Sequence, residues 1–301
     1  MDREVKSFII IENANFDVSL QLPYKFLESY IIHDYIKGNY LFKEQIQEWV
    51  KKNCNHIGRL IIVEVEQRID QSQMFTIWST VRFFATILRL VKYNSLFLRY
   101  MLNIENGRVG GTLSDEELKP APPLKEDSFI CTEDLKKAES IILVCNKMFF
   151  EKKKNQRIYT ALHFWDSSIS SGTFERRTIE LFTALEGIFT TDNSEVTYKL
   201  SNRISWFLYP NDAEKRISVF KNVKDGYKLR SKVVHGLKFV DLPDLDLINN
   251  IHSWAKDVII KILSDQKLIN IFTSSNNKLD EYFNYLVHGA DYFTENNNGC
   301  Q

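Results

Sequence analysis

The sequence predicts an α+β chain that is predominantly α, with a mixed strand/helix amino-terminal domain (1–125) followed by a helical domain (126–301). Three observations carry this. Up to about residue 125, β-branched and alternating runs interleave with helical ones. The segment NGRVGGTLSDEELKPAPPLKED, 106–127, then gathers Gly, Pro and charge as a loop or linker does. Beyond it, apolar residues recur at three- and four-residue steps almost to the end of the chain.

In order, SFIII (7–11), FDVSLQL (16–22) and RLIIVEVEQ (59–67) suit strands, being β-branched or alternating. Segments 25–37, 42–53 and 74–92 read as helices between and after them. In the second part, helices are predicted at 132–153, 156–170, 174–190, 195–209, 212–235, 245–263 and 278–293. Their breaks fall on turn chemistry: SSG at 170–172, TTDNS at 190–194, YPND at 209–212 and DLPDLD at 241–246. The lone GRVGG, 107–111, is read as a turn, since it lacks the lysine and following helix of a phosphate loop.

Bulk composition narrows the function classes. The chain has 301 residues, 44% hydrophobic and 26% charged, as soluble globular proteins do. Lys plus Arg and Asp plus Glu number 39 each, so no global field draws in nucleic acid or anionic lipid, and an anion site must arise from local clustering. Cys54, Cys131, Cys145 and Cys300 show no CxxC and no metal-type spacing with histidine. They fit reduced thiols, and with no basic, apolar leader in MDREVKSFII they predict a cytoplasmic protein. The most apolar stretch, FTIWSTVRFFATILRLVKY (75–93), is broken by Arg82, Arg89 and Lys92, so it predicts an amphipathic core helix and no membrane span.

Local charge gathers in one place. Between Glu214 and Lys238 there are eight Lys or Arg against two acids, Glu214 and Asp225. On a helical wheel Phe220, Val223, Tyr227 and Val234 make an apolar stripe, with Arg230 on its edge. A guanidinium there faces protein and requires a carboxylate, a phosphate or a partner subunit. Ser231 and His235 share the neighbouring shoulder, and Lys224, Lys228 and Lys232 lie on a lysine face beyond them. A histidine beside Gly236 also fits a plain helix end. Arg230 and His235 diverge by about 140° on a straight helix, so one helix does not aim both at one atom. Gly226, about 1 kcal/mol worse than Ala at mid-helix, marks a bend or a close helix–helix approach.

Arg230 and His235, with four residues between them, resemble the R-x4-6-H signature of the HEPN superfamily, whose helical-bundle domains include metal-independent endoribonucleases. TIELFTALEGIF (178–189), YKLSNRISWFL (198–208) and YKLRSKVVHG (227–236), in this order, are similar to the ApeA-like HEPN group found in bacterial antiphage-type proteins. The similarity covers roughly 155–265, with a fainter echo at LRLVKY (88–93). It departs from the usual pattern at Ser231, where many active members carry Asn, Asp or His.

The resemblance implies a carboxy-terminal HEPN-type bundle, homodimerisation that builds a composite cleft, and RNA cleavage by 2′-OH attack in antiphage defence or toxin-like growth arrest. Arg230 and His235 would be catalytic, Tyr227 and Ser231 supporting, and Lys224, Lys228 and Lys232 RNA-binding. No metal or other cofactor is implied, and the amino-terminal domain would sense a phage-derived trigger or regulatory partner. The alternative is a non-catalytic HEPN module for dimerisation, partner docking or RNA binding. Glu186 and Arg203, both in the matching blocks, are expected to tie helices together.

Overall fold

The computed structural model describes residues 5–12, 16–17, 20–26, 30–53, 60–69, 74–92, 97–105, 108–113, 129–150, 155–171, 173–237, 241–288 and 292–293. It divides into two compact units, Met1–Ile142 and Leu143–Gln301. Most of the 106–127 linker segment lies outside the described residues.

The first unit is built on a six-stranded antiparallel sheet: β1 (Val5–Glu12), β2 (Tyr24–Phe26), β3 (Tyr30–Asp34), β4 (Ile61–Ile69), β5 (Phe97–Glu105) and β6 (Arg108–Leu113), in the order β2-β3-β4-β1-β5-β6. β1 is central, with Ile9 opposite both Val63 and Met101. That position explains its unbroken apolar run, since both of its faces are covered. On one face Phe8 and Ile10 join Ile62, Tyr100 and Leu102 against Ile46 and Val50 of α1 (Lys43–Asn53). On the other, Phe26 meets Phe84 of α2 (Met74–Val91) at a ring separation of 3.9 Å. A buried pair, His33 Nε2 and Glu64 Oε2 at 3.0 Å, links β3 to β4. No helix among the described residues is long and apolar enough to cross a membrane.

Three expectations fail in this unit. Segment 25–37 is no helix but the β2–β3 hairpin, because Ile31 and Ile32 pair with Tyr24–Phe26 on one side and with β4 on the other. In 16–22 the described residues form no strand; only Phe16 makes a bridge, to Ile130. GRVGG contributes Arg108 to Gly111 to strand β6, where a Cβ at Gly111 would overlap the Trp49 ring of α1. The glycine there makes room for an aromatic cover, where the sequence suggested a turn.

The second chain segment is helical: α3 (Thr132–Phe150), α4 (Gln156–Ser170), α5 (Phe174–Phe189), α6 (Val196–Leu208), α7 (Ala213–Val234), α8 (Leu242–Leu263), α9 (Gln266–Phe272) and α10 (Asn276–Val287). Caps set the boundaries. Thr173, Asp212 and Asp265 each accept a backbone N–H of the first helical turn, and Asp241 forms a full capping box with Asp244. Phe189, Phe207, Phe272 and Phe283 pack edge-on or tilted at 5.5–6.1 Å to fill the centre of this unit.

The carboxy-terminal end of α5 is closed by arginines. Arg157 Nη1 donates to the carbonyls of Gly187 (3.0 Å) and Thr190 (2.8 Å). Arg203 Nη1 donates to Phe189 O at 2.7 Å, and its Nη2 pairs with Asp280 of α10 at 2.6 Å. Cations are favoured at this pole of a helix, and the carbonyls they cover have no partner within the helix.

A buried polar layer lies where α4, α5 and α8 meet. Glu180 accepts from Ser167 Oγ (3.0 Å), Arg176 Nε (2.8 Å) and Ser171 Oγ. Arg177 donates to Ser168 O at 3.1 Å, and the Ser168 hydroxyl meets His252 Nε2 at 3.1 Å. Burial first, then Arg177 and Lys256, push the His252 imidazole down to a pKa of about 3, so it is neutral.

Candidate functional site

α7 carries most of the predicted site. Its buried residues are Val219, Val223, Gly226, Leu229 and Val233. The packing face is therefore rotated from the expected stripe: Val223 belongs to it, whereas Val234 is 45% exposed. Seeking only large apolar side chains misplaced it, because Gly226 sits at its centre. A Cβ on Gly226 would overlap Ile251 Cδ1 of α8 and lie 2.9 Å from Phe182 Cζ of α5. Of the two options for this glycine, the structure selects close helix approach.

Rotating the face brings Arg230 onto the packed side. Its Nη2 lies 3.7 Å from Glu186 Oε1 of α5, with about a quarter of each side chain exposed. Arg230 Nε and Glu186 Oε1 are both buried without a hydrogen-bond partner. The guanidinium stands over the Tyr227 ring, 5.7 Å from its centre, and that ring packs edge-on against Phe182 at 5.6 Å. Burial first, then hydrogen bonding and charge from Glu186, raise the Tyr227 phenol above its ordinary value, while Arg230 opposes the rise. Glu186, Tyr227 and Arg230 thus form one cluster between α5 and α7.

His235 and Ser231 stand apart from it. His235 is the exposed C-cap of α7, its backbone N–H donating to Ser231 O at 3.2 Å. Gly236, at φ 67°, donates to Val233 O (3.0 Å) and Leu237 N–H to Lys232 O (2.8 Å), which is a Schellman ending. The helix-end reading of the histidine and glycine therefore holds as geometry, and Arg230 and His235 do not converge within one chain. Lys224, Lys228 and Lys232 are all exposed. Lys228 is held by Asp225 at 2.9 Å, and Lys224 Nζ lies 6.0 Å from the Phe220 ring centre.

Glu186 is the residue whose part in the site the sequence left unseen. As a helix tie it meets Arg230, while Arg203, its companion in that expectation, goes to Asp280. A signal was present: Glu186 follows Phe182 by four residues, the step that puts two side chains on one helical face. The three blocks quoted for the family resemblance fall on α5, α6 and the end of α7, which pack on one another. Comparison of the chain with family models, with curated proteins and with solved structures found no match in any of the three.

Proposed function

We propose that the chain is a metal-independent endoribonuclease of HEPN type, acting as a homodimer in antiphage defence or toxin-like growth arrest. One observation carries the proposal: Arg230 is half-buried on the packed side of a lysine-bearing helix, yet its guanidinium is only loosely engaged, at 3.7 Å from one carboxylate. An arginine so placed is free to take a phosphate in two-pronged fashion, which lysine does poorly. The exposed His235 at the end of the same helix supplies an imidazole, the side chain most often used as general acid or base. Val234 and Leu237 flank it, exposed by 45% and 75%, and offer apolar surface for a second copy whose Arg230 would complete the cleft.

In the proposed reaction the ribose 2′-OH attacks the adjacent phosphorus and the bond to the 5′ oxygen breaks. His235 takes the 2′-OH proton or gives one to the departing 5′ oxygen, work that contributes about 10²–10⁴-fold. Arg230 offsets the charge that grows on the phosphoryl oxygens. Lys224, Lys228 and Lys232 hold the backbone, and DNA, lacking the 2′-OH, is not cut. The test is RNA cleavage in EDTA by wild type, Arg230→Ala and His235→Ala. Both substitutions are expected to abolish it, and activity surviving both refutes the assignment.

The Glu186–Arg230 pair also favours a second reading, in which Arg230 only fastens α5 to α7 in a non-catalytic module. No cleavage under any condition, with loss of stability or of dimer in Arg230→Ala, supports it instead.

A further inference from the structure

The Glu186–Arg230 contact is longer than five other ion pairs among the described residues of this unit. Arg203–Asp280, Arg176–Glu180 and Lys199–Asp192 close to 2.6, 2.8 and 2.7 Å. Each has the short separation of a charge-assisted hydrogen bond. Arg230 and Glu186 stay 3.7 Å apart, and each keeps a buried polar atom unmatched. Arginines 157, 177, 203 and 216 each donate to at least one carbonyl, at 2.8, 3.1, 2.7 and 2.8 Å respectively. Arg230 has charge neutralisation without hydrogen-bond satisfaction, which leaves a buried donor at a real cost.

Tyr227 accounts for the other side of the contact. Its ring lies beneath the guanidinium, and the Glu186 carboxylate helps to raise its phenol above the ordinary value. Glu186 therefore meets its cation poorly, with a phenol nearby as an alternative donor. A phosphate entering at Arg230 would bring acceptors for Nε and Nη2 together, and its charge would repel Glu186.

We propose that Glu186 is the resting counter-ion of Arg230: it occupies the guanidinium until a phosphate group displaces it, and Tyr227 then retains the released carboxylate. This rests on Arg230 being an anion-binding residue. It makes Glu186 and Tyr227 positioning residues that set the threshold for anion capture. The site would thus discriminate by charge: weak monoanions leave Glu186 in place, and a phosphate that engages both nitrogens removes it.

The experiment is calorimetric titration of the full chain with inorganic phosphate, for wild type, Glu186→Gln, Tyr227→Phe and Arg230→Ala, with circular dichroism to establish that each is folded. Glu186→Gln removes the competing charge but keeps size and polarity, and is expected to tighten phosphate binding about tenfold, between the worth of an exposed and of a buried pair. Tyr227→Phe strips the phenol from Glu186, returns it to Arg230, and weakens binding about threefold. Arg230→Ala removes binding. Unchanged or weaker binding in folded Glu186→Gln overturns the proposal, because a carboxylate that merely orients the guanidinium would be missed by the anion. If Glu186→Gln fails to fold, Tyr227→Phe decides: binding equal to wild type or tighter overturns it. Absence of phosphate binding in every variant also overturns it. Tightening by Glu186→Gln without RNA cleavage refutes the nuclease alone. Arg230-dependent cleavage without that tightening refutes the counter-ion alone.

Discussion

Gly226→Ala sets two effects of opposite sign against each other. Replacing a mid-helix glycine by alanine favours the helix by about 1 kcal/mol, since the unfolded chain loses freedom and α7 keeps its geometry. The new methyl, however, would overlap Ile251 Cδ1 and stand 2.9 Å from Phe182 Cζ, where ordinary contacts begin at 3.4 Å. Phe182 and Ile251 are fully buried on different helices, α5 and α8, so α7 cannot retreat from one without pressing on other packed side chains. Overpacking of this kind costs about 1–3 kcal/mol, and the double overlap places this site at the upper end. The net expectation is a loss of about 2 kcal/mol. Gly187→Ala is the matched control: it also lies within a helix, and nothing stands within 4 Å of its new Cβ. It is expected to gain about 0.5–1 kcal/mol. Urea unfolding followed by far-ultraviolet circular dichroism reads both, as midpoints shifted in opposite directions at unchanged slope. A Gly226→Ala protein as stable as wild type refutes the close approach of α7 to α5 and α8, and with it the packed placement of Arg230.

His252 gives an acid limb to stability. Its folded pKa, about 3, lies below the unfolded value near 6.5, so its contribution is complete above pH 6.5 and lost as pH falls. By pH 4 the loss is roughly 3 kcal/mol, and His252→Gln is expected to flatten that part of the profile in denaturant titrations at pH 7, 5.5 and 4. A wild type and variant with the same acid slope would exclude a buried neutral imidazole. Arg203→Ala removes the donor to Phe189 O and the partner of Asp280, and exposes the Phe283 ring that the guanidinium covers at 4.4 Å. About 2–4 kcal/mol should be lost, read as a lowered thermal midpoint.

The legible parts of the chain were those governed by neighbours in sequence. α5, α6 and α7 each begin and end within one or two residues of expectation, because Asp212 and Gly236 act locally. β2 and β3 escape the sequence reading because strands of three and five residues carry too few alternations to outweigh a helical reading of 25–37. The pairing of β3 with β4, about thirty residues on, decides the matter, and β2 follows as its hairpin partner. β6 was hidden by its glycines, and α9, of seven residues, is too short to show a period. At the site, the sequence supplied Arg230, His235 and their divergence. It did not supply the rotation of α7, which depends on a glycine fitting between Phe182 and Ile251, and so it withheld the pairing with Glu186.

The two arginines at the end of α5 bear on how that cluster can respond. Helix ends ordinarily fray, and their last amides open and close many times faster than the rest. Glu186 sits in such a last turn, yet Arg157 grips Gly187 and Thr190 while Arg203 grips Phe189. The backbone under the carboxylate is thereby pinned from α4 and α6, and opening it would break bonds on both. Release of Arg230 in the proposed exchange would therefore come from turning the Glu186 side chain on a fixed base, and not from unwinding the helix. The last turn of α5 thus acts as an anvil: a pinned backbone below, and above it a charge that can turn only by its side chain.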